Sequence, residues 1–120
     1  MISAIQEALG DLRGAPGVRG VAVVTADGLV AASALATGLA DDVIAGLASY
    51  LMMMTNRCLD DGAHGVCTRL TLIATDGKAV FVQLEGSYLV VLFEGFAEVV
   101  EADRQVEVAA DQIRRAVRVG

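Results

Sequence analysis

The side chains that could do chemistry in this chain are few, and their densest group lies between residues 58 and 67. Cys58, His64 and Cys67 follow the pattern C-x5-H-x2-C, with Asp60 and Asp61 between the first two. Thiolate, imidazole and carboxylate groups are the donors that bind zinc, but structural zinc sites arrange them in characteristic short pairs. This spacing is not one of those arrangements. We therefore expect no metal site here, and interpret these residues as structural.

Catalysis by an activated nucleophile has little support in the sequence, because it requires a base and an orienting group beside the nucleophile. His64 is the only histidine, and it lies in a predicted loop. Phosphate binding by a P-loop requires GxxxxGK[ST], a motif that the 13 glycines do not form, and the only lysine, Lys78, lies in a predicted hairpin. Arg57 could act near the phosphates of a partner, or simply solubilise a helix end and meet its dipole. We expect neither an enzyme nor a cofactor.

Composition limits the class of protein further. A chain of 120 residues corresponds to about one domain, which we expect to span residues 1–120. Its hydrophobic fraction of 55% and mean hydropathy of +0.59 are high for a small soluble protein. The charge-free stretches 28–40 and 43–56 are nevertheless shorter than the ~18–20 residues of a membrane span. We expect no membrane insertion, and attribute the apolar surplus to oligomerisation.

Charge and cysteine content indicate the compartment and exclude some partners. The net charge of −6 disfavours nucleic acid and anionic membrane surfaces, both of which attract basic proteins. Two cysteines are too few for a disulfide framework, and no basic leader precedes an apolar segment. These features predict a cytoplasmic protein with reduced thiols.

Hydrophobic periodicity and turn signals predict eight elements in the order αββαβββα. Asp-Gly pairs at 27–28 and 76–77 are typical of hairpin turns. The segment 87–93 is the most apolar strand, which predicts a central place in the sheet. The predicted helices are 4–13, 43–59 and about 97–117, and the predicted strands are 18–25, 29–35, 66–75, 78–84 and 87–93.

The predicted helix 43–59 lacks the polar face of an ordinary surface helix, since Arg57 is its only charged residue. One side carries mainly large apolar residues and the other mainly small or apolar ones. At about 100° per residue, the first side holds Val43, Leu47, Tyr50, Leu51, Met54 and Cys58, and the second holds Ala45, Ala48, Ser49, Met52, Asn56 and Leu59. One face can cover a sheet, but the other requires a second protein surface. This helix therefore predicts association.

Several short motifs in this order resemble the roadblock/dynein light chain family. They are PGVRGV at 16–21, DGL at 27–29, AAS at 31–33 and YLVVL at 88–92. The resemblance covers essentially the whole chain. It implies an α+β fold of the profilin or longin type, in which the middle helix packs on one face of a five-stranded antiparallel sheet and the two terminal helices pack on the other.

The resemblance also implies a homodimer. Members of the family typically pair the third strand with its copy and lay the two middle helices side by side. Carried over to this chain, that arrangement predicts dimer contacts from a strip of small residues on the middle helix and from the edge of the third strand. The residues expected there are Ala45, Ala48, Ser49, Met52, Arg69 and Thr71.

Bacterial members of the MglB type bind a small Ras-like GTPase of the MglA type, and some of them stimulate its GTP hydrolysis. Others are encoded together with a sensor kinase. By resemblance, this chain would regulate or scaffold such a GTPase without an active site of its own. The expected partner surface comprises Met52, Met53, Asn56 and Arg57, since successive methionines suit an adaptable binding surface. Packing in the core or in the dimer is the alternative role for each of them.

The sequence is also compatible with two other functions. The chain could be a purely structural dimerisation or adaptor module that does not alter GTP turnover. It could also be a small-molecule-sensing domain on a related layered sheet. The second alternative requires a pocket between helix and sheet that is lined by polar groups, and the sequence offers few such groups.

Overall fold

The helices and strands follow one another in the predicted order αββαβββα. A computed structural model describes the backbone of residues 2–36 and 38–119, and the side chains of residues 4–36 and 38–117. Its helices are α1 (Ile2–Arg13), α2 (Asp41–Asp61) and α3 (Asp103–Val119), and a short 3-10 turn, Val99–Ala102, leads into α3. Its strands are β1 (Val18–Thr25), β2 (Val30–Leu35), β3 (Arg69–Ile73), β4 (Gly77–Gln83) and β5 (Ser87–Glu94).

The five strands form one antiparallel sheet in the order β2-β1-β5-β4-β3. The prediction that the apolar strand 87–93 lies centrally is confirmed, because β5 is hydrogen-bonded to β1 on one side and to β4 on the other. Strand β3 is shorter than predicted. Residues 62–68 form a loop in which Ala63 and Gly65 both have positive φ angles, so the strand begins only at Arg69.

Helices cover both faces of the sheet, as the family resemblance implied. On one face α1 and α3 pack over alternate residues of β1, β4 and β5, including Val21, Val80, Leu89 and Val91. On the other face α2 packs over the intervening residues, including Ala22, Val24, Phe81 and Val90. Two buried faces explain why β1 and β5 are apolar at nearly every position, rather than alternating with polar residues. None of the helices in the described part of the chain is long and apolar enough to cross a membrane.

Candidate functional site

Helix α2 is the element that carries the candidate site. Its 21 residues correspond to a length of about 31 Å at 1.5 Å per residue. Asp41 and Asp42 occupy the first turn, where carboxylates interact favourably with the helix dipole. At the other end the Gly62 amide donates to the Cys58 carbonyl oxygen, and the last turn contains two acidic residues and no basic one. The helix thus has negatively charged ends and an almost uncharged middle.

The small side chains of α2 face the sheet, so the predicted assignment of its two faces is wrong. Ala45, Ala48 and Met52 are 1%, 0% and 0% exposed, packed against the core residues of β1, β4 and β5. They have no surface to offer to a second copy or to another partner. The physical reason is that alanine lets the helix backbone approach the sheet closely, while Met52 fills the remaining space. Periodicity separates two faces but does not say which one lies inside.

The large apolar side chains consequently point away from the sheet. Val43, Leu47, Tyr50 and Met54 are 65%, 54%, 58% and 37% exposed, and the Cys58 thiol is also exposed. These five residues, here called the outer face of α2, follow one another at intervals of three or four positions and form a continuous stripe. A contiguous exposed apolar surface of this kind marks an interaction site. The sequence contained this signal, because a helix that is apolar all round must bury both sides.

An apolar groove lies beside the outer face, between α2 and the strands near the β3 edge. Its volume is about 310 Å³. The helix contributes Ile44, Leu47 and Leu51 to the lining, and the sheet contributes mainly apolar residues, among them Leu72, Ala79, Phe81, Val90 and Leu92, while Arg19 and Lys78 are also present. The lining does not supply the set of polar groups that the small-molecule-sensing alternative requires. Because Leu47 belongs to both surfaces, groove and outer face form one apolar area.

On the other flank of α2, three of the four predicted partner residues, Met53, Asn56 and Arg57, border a wider depression of about 540 Å³, whereas Met52 is buried. Two residues of this flank hold the structure together. The Asn56 Oδ1 accepts a hydrogen bond of 2.7 Å from the Cys67 amide, and the Ser49 hydroxyl donates one of 3.2 Å to the Ala26 carbonyl oxygen. Met53 is 50% exposed and Arg57 is also exposed. Of the predicted partner residues, Met53 and Arg57 therefore have the most free surface.

Strand β3 lies at one edge of the sheet, and among the described residues it is paired only with β4. Thr71 is exposed on this strand. The half-buried Arg69 forms ion pairs with Asp103 and Glu107 of α3, which fix its side chain on the face opposite α2. The predicted dimer role of these two positions is thus compatible with where they lie. It remains a prediction.

The cysteine and histidine side chains are not gathered into a metal site. Cys67 is buried beneath α2, whereas Cys58 is exposed on the outer face of that helix. Among the side chains described for residues 4–36 and 38–117, no three from cysteine, histidine or acidic residues come close enough together to hold a metal ion. These residues are close in sequence, but in the fold Cys58 lies on the exposed side of α2 and Cys67 lies in the core.

Comparison with solved structures shows the same fold in proteins of low sequence identity. Myxococcus xanthus MglB is 13% identical and superposes with a TM-score of 0.90, covering 98% of this chain and 90% of that one. The gliding protein MglB of Thermus thermophilus is 15% identical, with a TM-score of 0.87 and coverage of 98% and 91%. A Roadblock/LC7 domain from Streptomyces avermitilis is 17% identical, with a TM-score of 0.85 and coverage of 94% and 97%.

Comparison with sequence families identifies the chain more directly than these structures do. A search among curated proteins found no match. The family model of the Roadblock/LC7 domain, in contrast, matches residues 4–93, which include most of α1, all of α2 and nearly all of the sheet. The family resemblance read from the short motifs is thereby confirmed, and the chain belongs to the Roadblock/LC7 domain family.

Proposed function

We propose that this chain is a homodimeric, non-catalytic regulator or scaffold of a small Ras-like GTPase of the MglA type. The observation that carries the proposal is the outer face of α2, a stripe of large apolar side chains left in water above an apolar groove. Leaving such a surface exposed is costly at about 25 cal/mol per Å². Membership in the Roadblock/LC7 family and the likeness to MglB structures support a second copy and a GTPase as the molecules that cover it.

A second copy of the chain would cover the outer face of α2. Pairing of the β3 edges around a twofold axis would extend the sheet and bring the two α2 helices together in antiparallel orientation. The stripe runs from Val43 to Cys58 and is centred near Tyr50, so each copy would present the same residues to the other. Val43 of one copy would then lie near Cys58 of its partner. The interface we propose replaces the buried Ala45, Ala48 and Met52 by Val43, Leu47, Tyr50 and Met54.

The GTPase would bind the flank of α2 that the second copy does not cover. Met53 supplies an adaptable apolar contact and Arg57 supplies a positive charge on an otherwise acidic chain. Arg57 could approach acidic or phosphate groups of the partner. The dimer would act by favouring one arrangement of the switch regions of the GTPase, a mechanism that needs no catalytic residue from the regulator.

Cellular context follows from the same proposal. Both thiols are free, which suits the reducing cytoplasm where small GTPases act. Residues 1–120 would work as one domain, in association with a GTPase and, in some systems, with a sensor kinase. Stimulation of GTP hydrolysis and pure scaffolding are the two modes of action, and a hydrolysis assay distinguishes them.

Two measurements test the proposal in sequence. Sedimentation at micromolar concentration should give a dimer of two 12.4 kDa chains. Calorimetry should then detect binding to a GTPase encoded beside this chain, with different affinities for its GTP and GDP forms. A purely monomeric chain would exclude the dimer. If the chain is a dimer that binds neither nucleotide form of the GTPase, regulation of a GTPase is excluded and the function as a structural dimerisation module is supported.

A further inference from the structure

A short turn after β5 leaves one aromatic side chain exposed to water, next to Ala97, which packs in the core on the side of the sheet opposite α2. Phe96 is 81% exposed, the highest value among the large apolar side chains of the described part of the chain. It occupies the second central position of the turn Glu94–Ala97, in which the Ala97 amide donates to the Glu94 carbonyl oxygen over 3.0 Å. Turn positions favour glycine, proline, asparagine, aspartate and serine. Local backbone preference therefore does not explain a phenylalanine here.

The turn is fixed by three contacts, one with Lys78 and two with Gly17, so Phe96 is not placed by a loose loop. The Lys78 ammonium donates to the Ala97 carbonyl oxygen at 2.7 Å, and the Glu94 amide donates to the Gly17 carbonyl oxygen at 2.8 Å. A Cβ on Gly17 would lie 2.4 Å from the Cβ of Ala97, so only glycine permits this approach, and its φ of +76° agrees. A rigidly presented aromatic side chain loses little entropy on binding, which is a property of interface anchors.

Two further exposed apolar side chains belong to segments that adjoin this turn. Ile73 is 71% exposed at the end of β3, directly across from Lys78, and so shares the face to which Lys78 reaches Ala97. Val100 is 69% exposed in the 3-10 turn that begins two residues after Ala97. Ile73, Phe96 and Val100 come from separate segments, and together are called the corner patch.

Three exposed carboxylates lie within three residues of the corner patch along the chain. Asp76, Glu98 and Glu101 are exposed beside it, and no ion pair engages them among the side chains described for residues 4–36 and 38–117. The nearby cations are already occupied or directed elsewhere. The Lys78 ammonium is bound to Ala97 and Arg19 pairs with Glu94, while Arg104 borders the depression between α3 and α1. An acidic rim repels a second copy of itself and attracts a basic partner.

We propose that the corner patch is a second docking surface, which binds the apolar face of a basic amphipathic segment of another protein. Phe96 is its anchor, Ile73 and Val100 extend the apolar contact, and Asp76, Glu98 and Glu101 pair with lysine or arginine at the edge of the segment. The surface lies on the face of the sheet opposite α2. A dimer that holds a GTPase through α2 can therefore bind this second partner at the same time.

The test uses two synthetic 18-residue amphipathic helices with identical leucine faces, one with lysine and one with glutamate on the polar face. Fluorescence anisotropy measures the binding of each labelled peptide to the full chain. The lysine peptide should bind and the glutamate peptide should not. Phe96→Ser should weaken binding at least about tenfold, as for an interface anchor. Leu29→Ser is the matched control, because Leu29 is 63% exposed in the β1–β2 hairpin and should leave binding within about twofold of wild type.

Charge reversal and oligomeric state complete the test. The double variant Glu98→Lys, Glu101→Lys should abolish binding of the lysine peptide, while circular dichroism shows an intact fold. The proposal is overturned if Phe96→Ser and Leu29→Ser behave alike, if both peptides bind equally, or if neither binds. A change of sedimenting mass in Phe96→Ser would also overturn it, since the corner patch would then be a contact between copies.

Discussion

Replacing Leu47 by glutamate should separate the proposed dimer without unfolding the subunit. Leu47 is 54% exposed in the single chain and lies in the middle of the outer face of α2. Full burial of a leucine side chain stabilises by about 1.5–3 kcal/mol, so covering the exposed half contributes about 1 kcal/mol, and two copies contribute about 2 kcal/mol per dimer. Burying two carboxylates in that apolar surface adds a desolvation penalty of about the same size or larger. Together these terms weaken dimerisation by at least about a thousandfold.

The neighbouring residue is the matched control, because it lies on the opposite side of the same helix turn. Ala48 is 0% exposed, on the side of α2 that faces the sheet. Glutamate at this position would force a carboxylate into the packed core, at a cost above about 4 kcal/mol. That is a large part of the roughly 5–15 kcal/mol that stabilises a domain. Ala48→Glu should therefore yield an unfolded or aggregated chain, not a folded monomer.

Sedimentation velocity over a concentration series and urea unfolding followed by circular dichroism distinguish these outcomes. Leu47→Glu should sediment as a folded monomer, with an unfolding midpoint that no longer depends on protein concentration. If Leu47→Glu remains a dimer, the outer face is not the interface. If Ala48→Glu is instead a folded monomer, then the small residues form the interface and do not pack against the sheet.

Three further variants test individual contacts. Arg57→Ala should lower affinity for the GTPase in calorimetry while the sedimenting mass stays that of the dimer, and unchanged affinity would remove Arg57 from the partner surface. Asn56→Ala leaves the buried Cys67 amide without its acceptor at 2.7 Å and should lower the free energy of unfolding by about 1–3 kcal/mol, measured in urea, with Thr55→Ala as the control. Gly17→Ala pushes a methyl group to 2.4 Å from the Ala97 Cβ at a positive φ and should cost about 1–3 kcal/mol, whereas Gly10→Ala, which meets no atom within 4 Å, should not destabilise.

Most of the secondary structure could be predicted from the sequence because local rules determine it. Valine-rich segments and turn residues placed β1, β4 and β5 within one residue of their observed ends. The centre of the sheet was also predictable, since a strand that is apolar at every position must be covered on both faces. Strand β3 was predicted too long because Val66 and Cys67 look like strand residues, yet the amide of Cys67 is bound by a side chain of α2.

The sequence identified α2 as the helix that carries the candidate site, but it did not show which side of this helix faces the sheet. Both sides of α2 are apolar, so the usual rule that the apolar side faces the core does not decide between them. Which side of α2 faces the sheet is decided by how well its side chains fit the sheet surface. That surface consists of residues of β1, β4 and β5, which are far from α2 in sequence. For the same reason Phe96 could not be recognised, because its exposure results from contacts of its turn with Gly17 and Lys78, which are distant in sequence.

The sequence by itself determined that α2 has two apolar sides, and therefore that the chain has more apolar surface than one subunit can bury. It also determined the order of elements and the family. Only the tertiary structure decided that Ala45, Ala48 and Met52 lie inside while Val43, Leu47, Tyr50 and Met54 lie outside. The physical reason is that helical periodicity is a property of the local chain, whereas burial depends on how closely a helix can approach a sheet assembled from distant segments.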